Sequence, residues 1–179
     1  MQEINKEILL RVKSGDVEAF EYLLSFYEKA IFNYCLRITK NLHEAEDITQ
    51  ETFIKVYKNR KNIDTEKKIK TWIFTIATNT AYDLLRSKKR KQEVSLDEED
   101  ETISKIKAYY SEEGLNFDIE KALLKIKEEY KEILLLYYQQ GFDYKEIAEM
   151  RLMPINTVKT HLSRGKEQLK EVLKEYGKN

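Results

Sequence analysis

Apolar residues recur at steps of three and four through most of this chain. One such run extends from Asp16 to about residue 38, and Gly15 before it breaks the helical pattern. The same period predicts a short helix near the N-terminus, a helix over about 43–60 and a helix over about 68–91. The inward positions of these four helices are Ile4, Ile8, Leu9 and Val12; Phe20, Leu23, Leu24, Tyr27, Ile31, Tyr34, Cys35 and Ile38; Ala45, Ile48, Phe53, Val56 and Tyr57; and Ile69, Trp72, Ile73, Ile76, Ala77, Thr80 and Leu84.

The helical period returns near residue 119. Two apolar runs there predict two helices, and Gly141 is placed to end the second one as a C-cap. Asp143 and Glu146 form a capping-box pattern that begins a helix over 143–151, and Pro154 begins a last helix that extends to about Tyr176. No segment alternates as a strand would, so the sequence predicts an all-α protein. The inward positions are Ile119, Leu123, Ile126, Tyr130, Ile133, Leu134, Tyr137, Ile147, Ala148, Val158, Leu162, Leu169 and Leu173.

Residues 93–118 lie between these two halves and lack their period. This segment carries a net charge of −7, whereas 1–92 carries +5 and 119–179 carries +2, so the overall charge is zero. The run 97–101 is wholly acidic and repels itself, which predicts an extended or mobile segment with a weak helix around 102–110. The sequence therefore predicts two small helical domains joined by an acidic flexible linker.

Composition excludes several classes of protein. No apolar run approaches the roughly 20 residues that cross a bilayer, and no signal peptide is visible, so we expect a soluble, cytoplasmic protein without membrane insertion. Cys35 is the single cysteine and cannot form an internal disulfide. His43 and His161 lie far apart without partners at ligand spacing, so we expect no metal site, no cofactor, no small-molecule substrate and no catalytic residues.

Residues 143–170 have the pattern of a helix-turn-helix, two helices joined by a tight turn with a small residue inside the first. The second helix of such a motif enters the major groove of DNA. With Val158 and Leu162 buried, the side chains expected to face the DNA are Thr157, Lys159, Thr160, His161, Ser163 and Arg164. The alternative is an ordinary pair of helices with a solvated polar face.

The helix over 68–91 ends in five cations within the six residues 86–91, which suits a phosphate-binding patch. Asn79, Tyr82, Asp83, Arg86 and Arg90 lie on one face of that helix, so an amide, an aromatic ring and cations could contact exposed bases. Lys88 and Lys89 belong to the same basic run. The alternative is that these cations stabilise the C-terminal end of the helix dipole.

The helix over 43–60 carries an apolar side chain among polar ones on one face. Asp47, Gln50, Glu51, Ile54 and Lys58 share this face. An exposed isoleucine beside acidic residues is typical of a protein-docking surface. A solvated face with one isolated apolar residue is an equally good interpretation of the spacing.

Three stretches of the chain resemble the sigma factors of bacterial RNA polymerase, specifically the extracytoplasmic-function (ECF) type. They are EAEDITQETFIKVY at 44–57, TWIFTIATNTAYD at 71–83, and YKEIA at 144–148 followed by TVKTHLSRGK at 157–166. They occur in the order and spacing of the family and cover about 15–92 and 119–175. A helix-interior glycine costs about 1 kcal/mol relative to alanine, so Gly165, where the family usually has alanine, predicts fraying of the last helix beyond residue 164.

The resemblance implies that 1–92 is sigma region 2, 93–118 a linker and 119–179 sigma region 4. Core polymerase would bind Asp47, Gln50, Glu51 and Ile54. The minus-ten promoter element would be recognised by loop 62–70 together with Asn79, Tyr82, Asp83, Arg86, Lys88, Lys89 and Arg90. The minus-thirty-five element would be recognised by the DNA-facing residues of the second helix of the helix-turn-helix, Thr157, Lys159, Thr160, His161, Ser163 and Arg164. The implied partners are core RNA polymerase, promoter DNA and an anti-sigma factor, and the role is not enzymatic.

Two other functions compete with this interpretation. A DNA-binding regulator that uses 119–179 alone would bind a palindromic site as a dimer without polymerase. A helical adaptor that binds only proteins would tolerate substitution of Lys159 and Arg164. The basic run at 86–91 argues against the adaptor.

Overall fold

The structure, a computed structural model, describes the backbone of residues 4–91, 99–112 and 117–176 and the side chains of 4–88, 104–111 and 119–174. These ranges are helices joined by turns, which confirms the all-α prediction. The α-helices are α1 (Lys6–Ser14), α2 (Val17–Thr39), α3 (Leu42–Lys58), α4 (Ile69–Lys91), α5 (Glu99–Glu112), α6 (Phe117–Leu124), α7 (Glu128–Leu134), α8 (Tyr144–Arg151) and α9 (Ile155–Tyr176). The chain divides into two compact units, unit 1 with residues 1–35 and 43–93 and unit 2 with residues 36–42 and 94–179.

Side-chain caps set the boundaries of the first helices. The Asn5 side chain accepts a hydrogen bond from the Ile8 amide at the start of α1, and Gly15 ends that helix with φ of +95°, a conformation that favours glycine. Asp16 then accepts from the Ala19 amide at the start of α2 and from Arg11 Nε. The Arg11 guanidinium and the Ala19 amide both hold the pKa of Asp16 below its ordinary value. The predicted break at residues 15–16 is confirmed.

The core of unit 1 is apolar and joins α2, α3 and α4. The ring of Tyr34 packs edge-on against Phe74 with centroids 5.6 Å apart, and its hydroxyl lies 3.0 Å from the Thr78 hydroxyl. Both side chains from α4 and Tyr34 itself are fully buried. The other buried apolar residues of these helices include Leu23, Tyr27, Ile31, Cys35, Ala45, Ile48, Phe53, Val56, Ile73, Ala77 and Ala81. The predicted inward faces of α2 and α3 are therefore largely correct.

Unit 2 packs α6, α7 and α8 around α9. Its buried apolar residues include Ala122, Ile126, Ile133, Leu136, Phe142, Ile147, Val158 and Leu162. The second predicted helix of this half changes character partway, because α7 continues into a π-helical segment, Leu135–Gln139, that the apolar spacing did not indicate. Gly141 follows with φ of +72°, so its predicted position at the helix end is confirmed.

The helix predicted around 102–110 in the acidic segment is present and longer than expected, since α5 extends over Glu99–Glu112. The expected extended run 97–101 lies partly outside the described residues, and its last three residues form the first turn of α5, so an extended conformation there is wrong. Acidic side chains in a first turn are stabilised by the positive end of the helix dipole. Ile106 and Tyr110, one turn apart, are both buried, and this burial offsets the repulsion between the acids.

Unit 2 also contains a buried ion pair that sequence reasoning missed. Arg37 Nε lies 2.9 Å and 3.1 Å from the two carboxylate oxygens of Glu120, and both side chains are buried. The Arg37 guanidinium lies 5.7 Å from the centre of the Tyr110 ring. Residues 36–42, the end of α2 and the turn after it, belong to unit 2.

Candidate nucleic-acid interface

The helix-turn-helix of unit 2 is built by strong local signals. The Asp143 side chain accepts hydrogen bonds from the Lys145 and Glu146 amides at 2.8 Å, and Glu146 accepts from the Asp143 amide at 2.9 Å. This capping box confirms the predicted start of α8. Leu152 ends α8 in the left-handed region with φ of +49°, and the Pro154 carbonyl accepts hydrogen bonds from the Thr157 and Val158 amides in the first turn of α9. The predicted two helices and tight turn are therefore present.

The outer face of α9 carries the side chains expected to meet DNA. Val158 and Leu162 are buried, as predicted, and Lys159, Thr160, Ser163 and Arg164 are exposed. The Thr160 hydroxyl donates to the Asn156 carbonyl of the same helix at 2.8 Å. Lys159, Arg164 and the Ser163 hydroxyl can donate to phosphates or to base edges, and the Thr160 hydroxyl, whose proton is used within α9, can accept from a base.

Two predicted members of this face are less available than expected. Thr157 and His161 are only partly exposed. The His161 ring packs edge-on against the Tyr130 ring of α7 with centroids 5.2 Å apart, and its Nδ1 is buried without a hydrogen-bond partner among the described residues. The expectation that His161 faces outward is therefore only half right, because a buried aromatic ring holds one side of the imidazole.

Gly165 was predicted to weaken the last helix, but in the structure it allows α9 to pack closely against α7. The described part of α9 continues as a helix to Tyr176, so the expected fraying beyond residue 164 is wrong. A Cβ atom added at Gly165 would lie 2.9 Å from Leu134 Cδ1 and 3.2 Å from Tyr130 Cβ. The glycine allows α9 to approach α7 closely, and burial against α7 offsets its low helix propensity.

The α4 stripe in unit 1 is exposed, but its charges are partly balanced. Asn79, Asp83 and Arg86 are exposed, whereas Tyr82 is half-buried. Arg86 Nη1 lies 3.6 Å from the Asp83 carboxylate. Lys88 forms an ion pair with Glu44 of α3, so its cation is not wholly available to phosphates. The side chains of Lys89 and Arg90 lie outside the described residues.

Loop 62–70 borders a small cleft in unit 1. The cleft has a volume of about 170 Å³ and is lined by residues of α1, α2 and the loop, among them Leu9, Tyr27 and Thr65. Lys13 Nζ donates to the Ile63 carbonyl at 2.9 Å, and Lys6 forms an ion pair with Glu66. Helix α1 therefore supports the loop, a relation that the sequence pattern did not indicate.

The residues of the predicted docking strip lie on one face of α3. Asp47, Gln50, Glu51 and Lys58 are exposed, and Ile54 among them is 45% exposed. The Glu51 carboxylate lies 3.7 Å from Lys55 Nζ, so one acid of the strip has a local partner. An aliphatic side chain surrounded by charged groups on one helix face suits a protein contact with an apolar centre and a polar rim.

No helix within the described ranges is both long enough and apolar enough to span a membrane.

Comparison with known proteins covers both units. The family description "Sigma-70 region 2" matches residues 23–91, and "Sigma-70, region 4" matches residues 116–169. The ECF RNA polymerase sigma factor SigW of Bacillus subtilis is 33% identical over 98% of this chain and 100% of its own length. The RNA polymerase sigma-H factor of Pseudomonas aeruginosa is 26% identical over 96% of this chain and 95% of its own length.

A solved structure shares the fold. The sigma factor RpoE of Bartonella quintana, crystallised in complex with the anti-sigma factor NepR, superposes with a TM-score of 0.70 at 24% identity. The match covers 88% of this chain and 98% of that chain.

Proposed function

Because this chain belongs to the ECF family of RNA polymerase sigma factors, we propose that its two units divide promoter recognition between them. It binds core RNA polymerase and directs promoter-specific initiation of transcription. We assign region 2 to residues 1–92, the connecting segment to 93–118 and region 4 to 119–179. The matches to both region descriptions on one chain, in this order, carry the proposal.

The α3 strip is proposed as the core-polymerase contact. Asp47, Gln50 and Glu51 supply a polar rim, and Ile54 supplies the apolar centre. The strip lies on the opposite side of α3 from its buried residues, such as Ile48 and Val56. Substitutions in the strip should therefore weaken binding without unfolding unit 1.

The α4 stripe and loop 62–70 are proposed to recognise and open the minus-ten element. The contacts would come from Asn79, Tyr82, Asp83, Arg86, Lys88, Lys89 and Arg90. The exposed Asn79 amide can pair with the edge of an unstacked base, and Arg86 can contact phosphate or stack on a base. The pairing of Arg86 with Asp83 and of Lys88 with Glu44 reduces attraction for duplex phosphates, which favours recognition of separated strands inside the polymerase complex.

The outer face of α9 is proposed to read the minus-thirty-five element as duplex DNA. Lys159 and Arg164 would contact phosphates or guanine edges, and Thr157, Thr160, His161 and Ser163 would complete the surface. The helix-turn-helix geometry and the exposed donors of α9 support this assignment. Since each DNA contact is small, the joint binding of the two regions through one connecting segment supplies the affinity.

An anti-sigma factor is proposed as a further partner. The structural relative RpoE is complexed with such a factor in its crystal structure. We propose that this chain acts in the cytoplasm without a catalytic step, a cofactor or a small-molecule substrate.

Run-off transcription tests the proposed function. Purified bacterial core polymerase would transcribe a fragmented genomic library from the source organism with and without this protein. Discrete new start sites that require the protein, preceded by two shared sequence elements, are expected. Absence of such starts, together with no comigration with core polymerase in gel filtration, would reject the sigma function and favour a stand-alone regulator.

A further inference from the structure

Tyr130 lies behind the proposed DNA-reading face of α9 and touches two of its side chains. Its hydroxyl accepts a hydrogen bond from Arg164 Nη1 at 3.3 Å, and its ring packs edge-on against the His161 ring. Tyr130 belongs to α7, outside the helix-turn-helix formed by α8 and α9. A residue outside the motif thus contacts α9 at His161 and at Arg164, before and after the buried Leu162.

The position of Tyr130 is firmly determined. Its side chain is 5% exposed, and its Cβ lies where a side chain at Gly165 would have to go. The Lys127 amide one turn before it donates to the Gln168 side chain of α9 at 3.3 Å. Helix α7 and the middle of α9 are therefore held in one register, which gives the Tyr130 hydroxyl a constant position beneath Arg164.

We propose that Tyr130 is a positioning residue for the recognition of the minus-thirty-five element, orienting Arg164 before DNA arrives. This inference rests on the proposed function of α9. An arginine side chain loses rotamer freedom when it binds DNA, and a side chain already hydrogen-bonded in its working direction loses less. One of its five N–H donors is used by Tyr130, so the others stay available for a phosphate or a guanine edge.

The test uses Tyr130→Phe, which removes the hydroxyl and keeps both the ring against His161 and the Cβ beside Gly165. Holoenzyme from core polymerase and the full chain would transcribe a promoter identified by the run-off experiment and the same promoter with its minus-thirty-five element replaced. The ratio of the two rates measures preference for the element. Loss of one hydrogen bond should lower this ratio by about 2- to 10-fold.

A double substitution separates positioning from simple stability. If Tyr130 acts through Arg164, Tyr130→Phe should have no effect on the ratio in an Arg164→Ala background. Tyr22→Phe, at an exposed tyrosine of α2, is the matched control and should leave the ratio unchanged. Thermal unfolding of each variant shows whether the fold is intact.

Three results would overturn the inference. The ratio could stay unchanged in Tyr130→Phe while the wild-type protein directs specific starts, or it could fall equally with and without Arg164, as a general loss of packing would cause. In either case the proposed function would stand. If the wild-type protein directs no specific starts, the proposed function fails and this inference fails with it.

Discussion

The two units bury polar groups in different ways. Among the described residues, the buried polar side chains of unit 1 are threonines, and three of them, Thr49, Thr52 and Thr80, donate to carbonyls of their own helices. Unit 2 buries charged side chains, namely Arg37, Glu120, Lys131 and Glu132. A bonded hydroxyl costs little to bury, whereas a buried charge is costly unless it is paired. The stability of unit 2 should therefore depend on single charges far more than that of unit 1.

On the proposed DNA-binding surfaces, charge pairing is more prominent in unit 1 than in unit 2. In unit 1, acidic neighbours of Arg86 and Lys88 balance their charges. In unit 2, Lys159 has no ion pair within the described ranges, and Arg164 donates a hydrogen bond to the Tyr130 hydroxyl. Unit 2 thus buries the Arg37–Glu120 ion pair and exposes Lys159 without an ion pair among the described residues. This arrangement suits a surface that meets duplex phosphates, and the balanced surface of unit 1 suits unstacked bases.

The largest effect is expected from breaking the buried ion pair. Glu120→Gln keeps the side-chain shape but removes the carboxylate charge that pairs with Arg37, which should destabilise unit 2 by about 3–5 kcal/mol. Thr78→Val, which removes the hydroxyl partner of Tyr34 in unit 1, should cost only about 1 kcal/mol. The single tryptophan, Trp72, lies in unit 1, so its fluorescence during urea unfolding follows unit 1 while circular dichroism follows both units. Equal costs for the two substitutions would refute the difference between the units.

The next largest effect concerns the surface of unit 1. Ile54→Asp puts a charge at the apolar centre of the proposed docking strip and should weaken core-polymerase binding by about 2 kcal/mol, roughly 30-fold. Leu10→Asp, at another exposed apolar position of unit 1, is the control and should leave this affinity unchanged. Competition for core polymerase against a labelled sigma factor measures both. Equal weakening by the two variants would point to a general effect of charge rather than to the strip.

The buried Lys131 should make the stability of unit 2 depend on pH. Burial and the nearby Lys40 ammonium together lower the pKa of Lys131 to about 8, and the Glu128 carboxylate opposes this shift. Its ammonium has no hydrogen-bond partner among the described side chains. Because an unfolded lysine has a pKa of about 10.4, the unfolded state binds more protons above pH 8. The stability of unit 2 should therefore rise as the pH increases from 8 to 9.

Substitution of Lys131 by methionine isolates this effect. Lys131→Met should stabilise unit 2 by about 1–2 kcal/mol at pH 7. It should also remove the part of the increase in stability above pH 8 that comes from Lys131. Urea unfolding of the variant and the wild-type protein at pH 7, 8 and 9 gives the difference directly. A constant difference across this range would show that Lys131 does not titrate there.

The smallest effects compare the two DNA-binding surfaces. Lys159→Ala should weaken promoter binding by the holoenzyme by about 1 kcal/mol and reduce the salt dependence by about one ion. Lys88→Ala should have a smaller effect, because Glu44 already neutralises part of that charge. Filter binding at several salt concentrations measures both slopes. If Lys88→Ala changed the salt dependence more than Lys159→Ala, the proposal that α9 meets duplex phosphates and the unit 1 surface meets unstacked bases would be contradicted.

Local signals made much of the fold predictable. The capping box at Asp143, the glycine ends at Gly15 and Gly141 and the three-to-four spacing of apolar residues are properties of neighbouring residues, so the sequence alone located most helices and most of their buried faces. Ile119 is an exception, because it was predicted to face inward and is exposed. The helix-turn-helix and the exposed set on α9 followed from the same spacing. The polymerase and promoter roles came from resemblance to a family rather than from spacing.

Long-range contacts decided the rest. Arg37 and Glu120 are 83 residues apart, and nothing in the pattern around either one indicates a buried charged partner. The role of Gly165 likewise depends on Tyr130 and Leu134 across a helix–helix contact, and α5 forms where burial of Ile106 and Tyr110 offsets acidic repulsion. Periodicity determines which face of a helix avoids water. Only the tertiary structure determines which side chains that face meets, because packing joins residues that are distant along the chain.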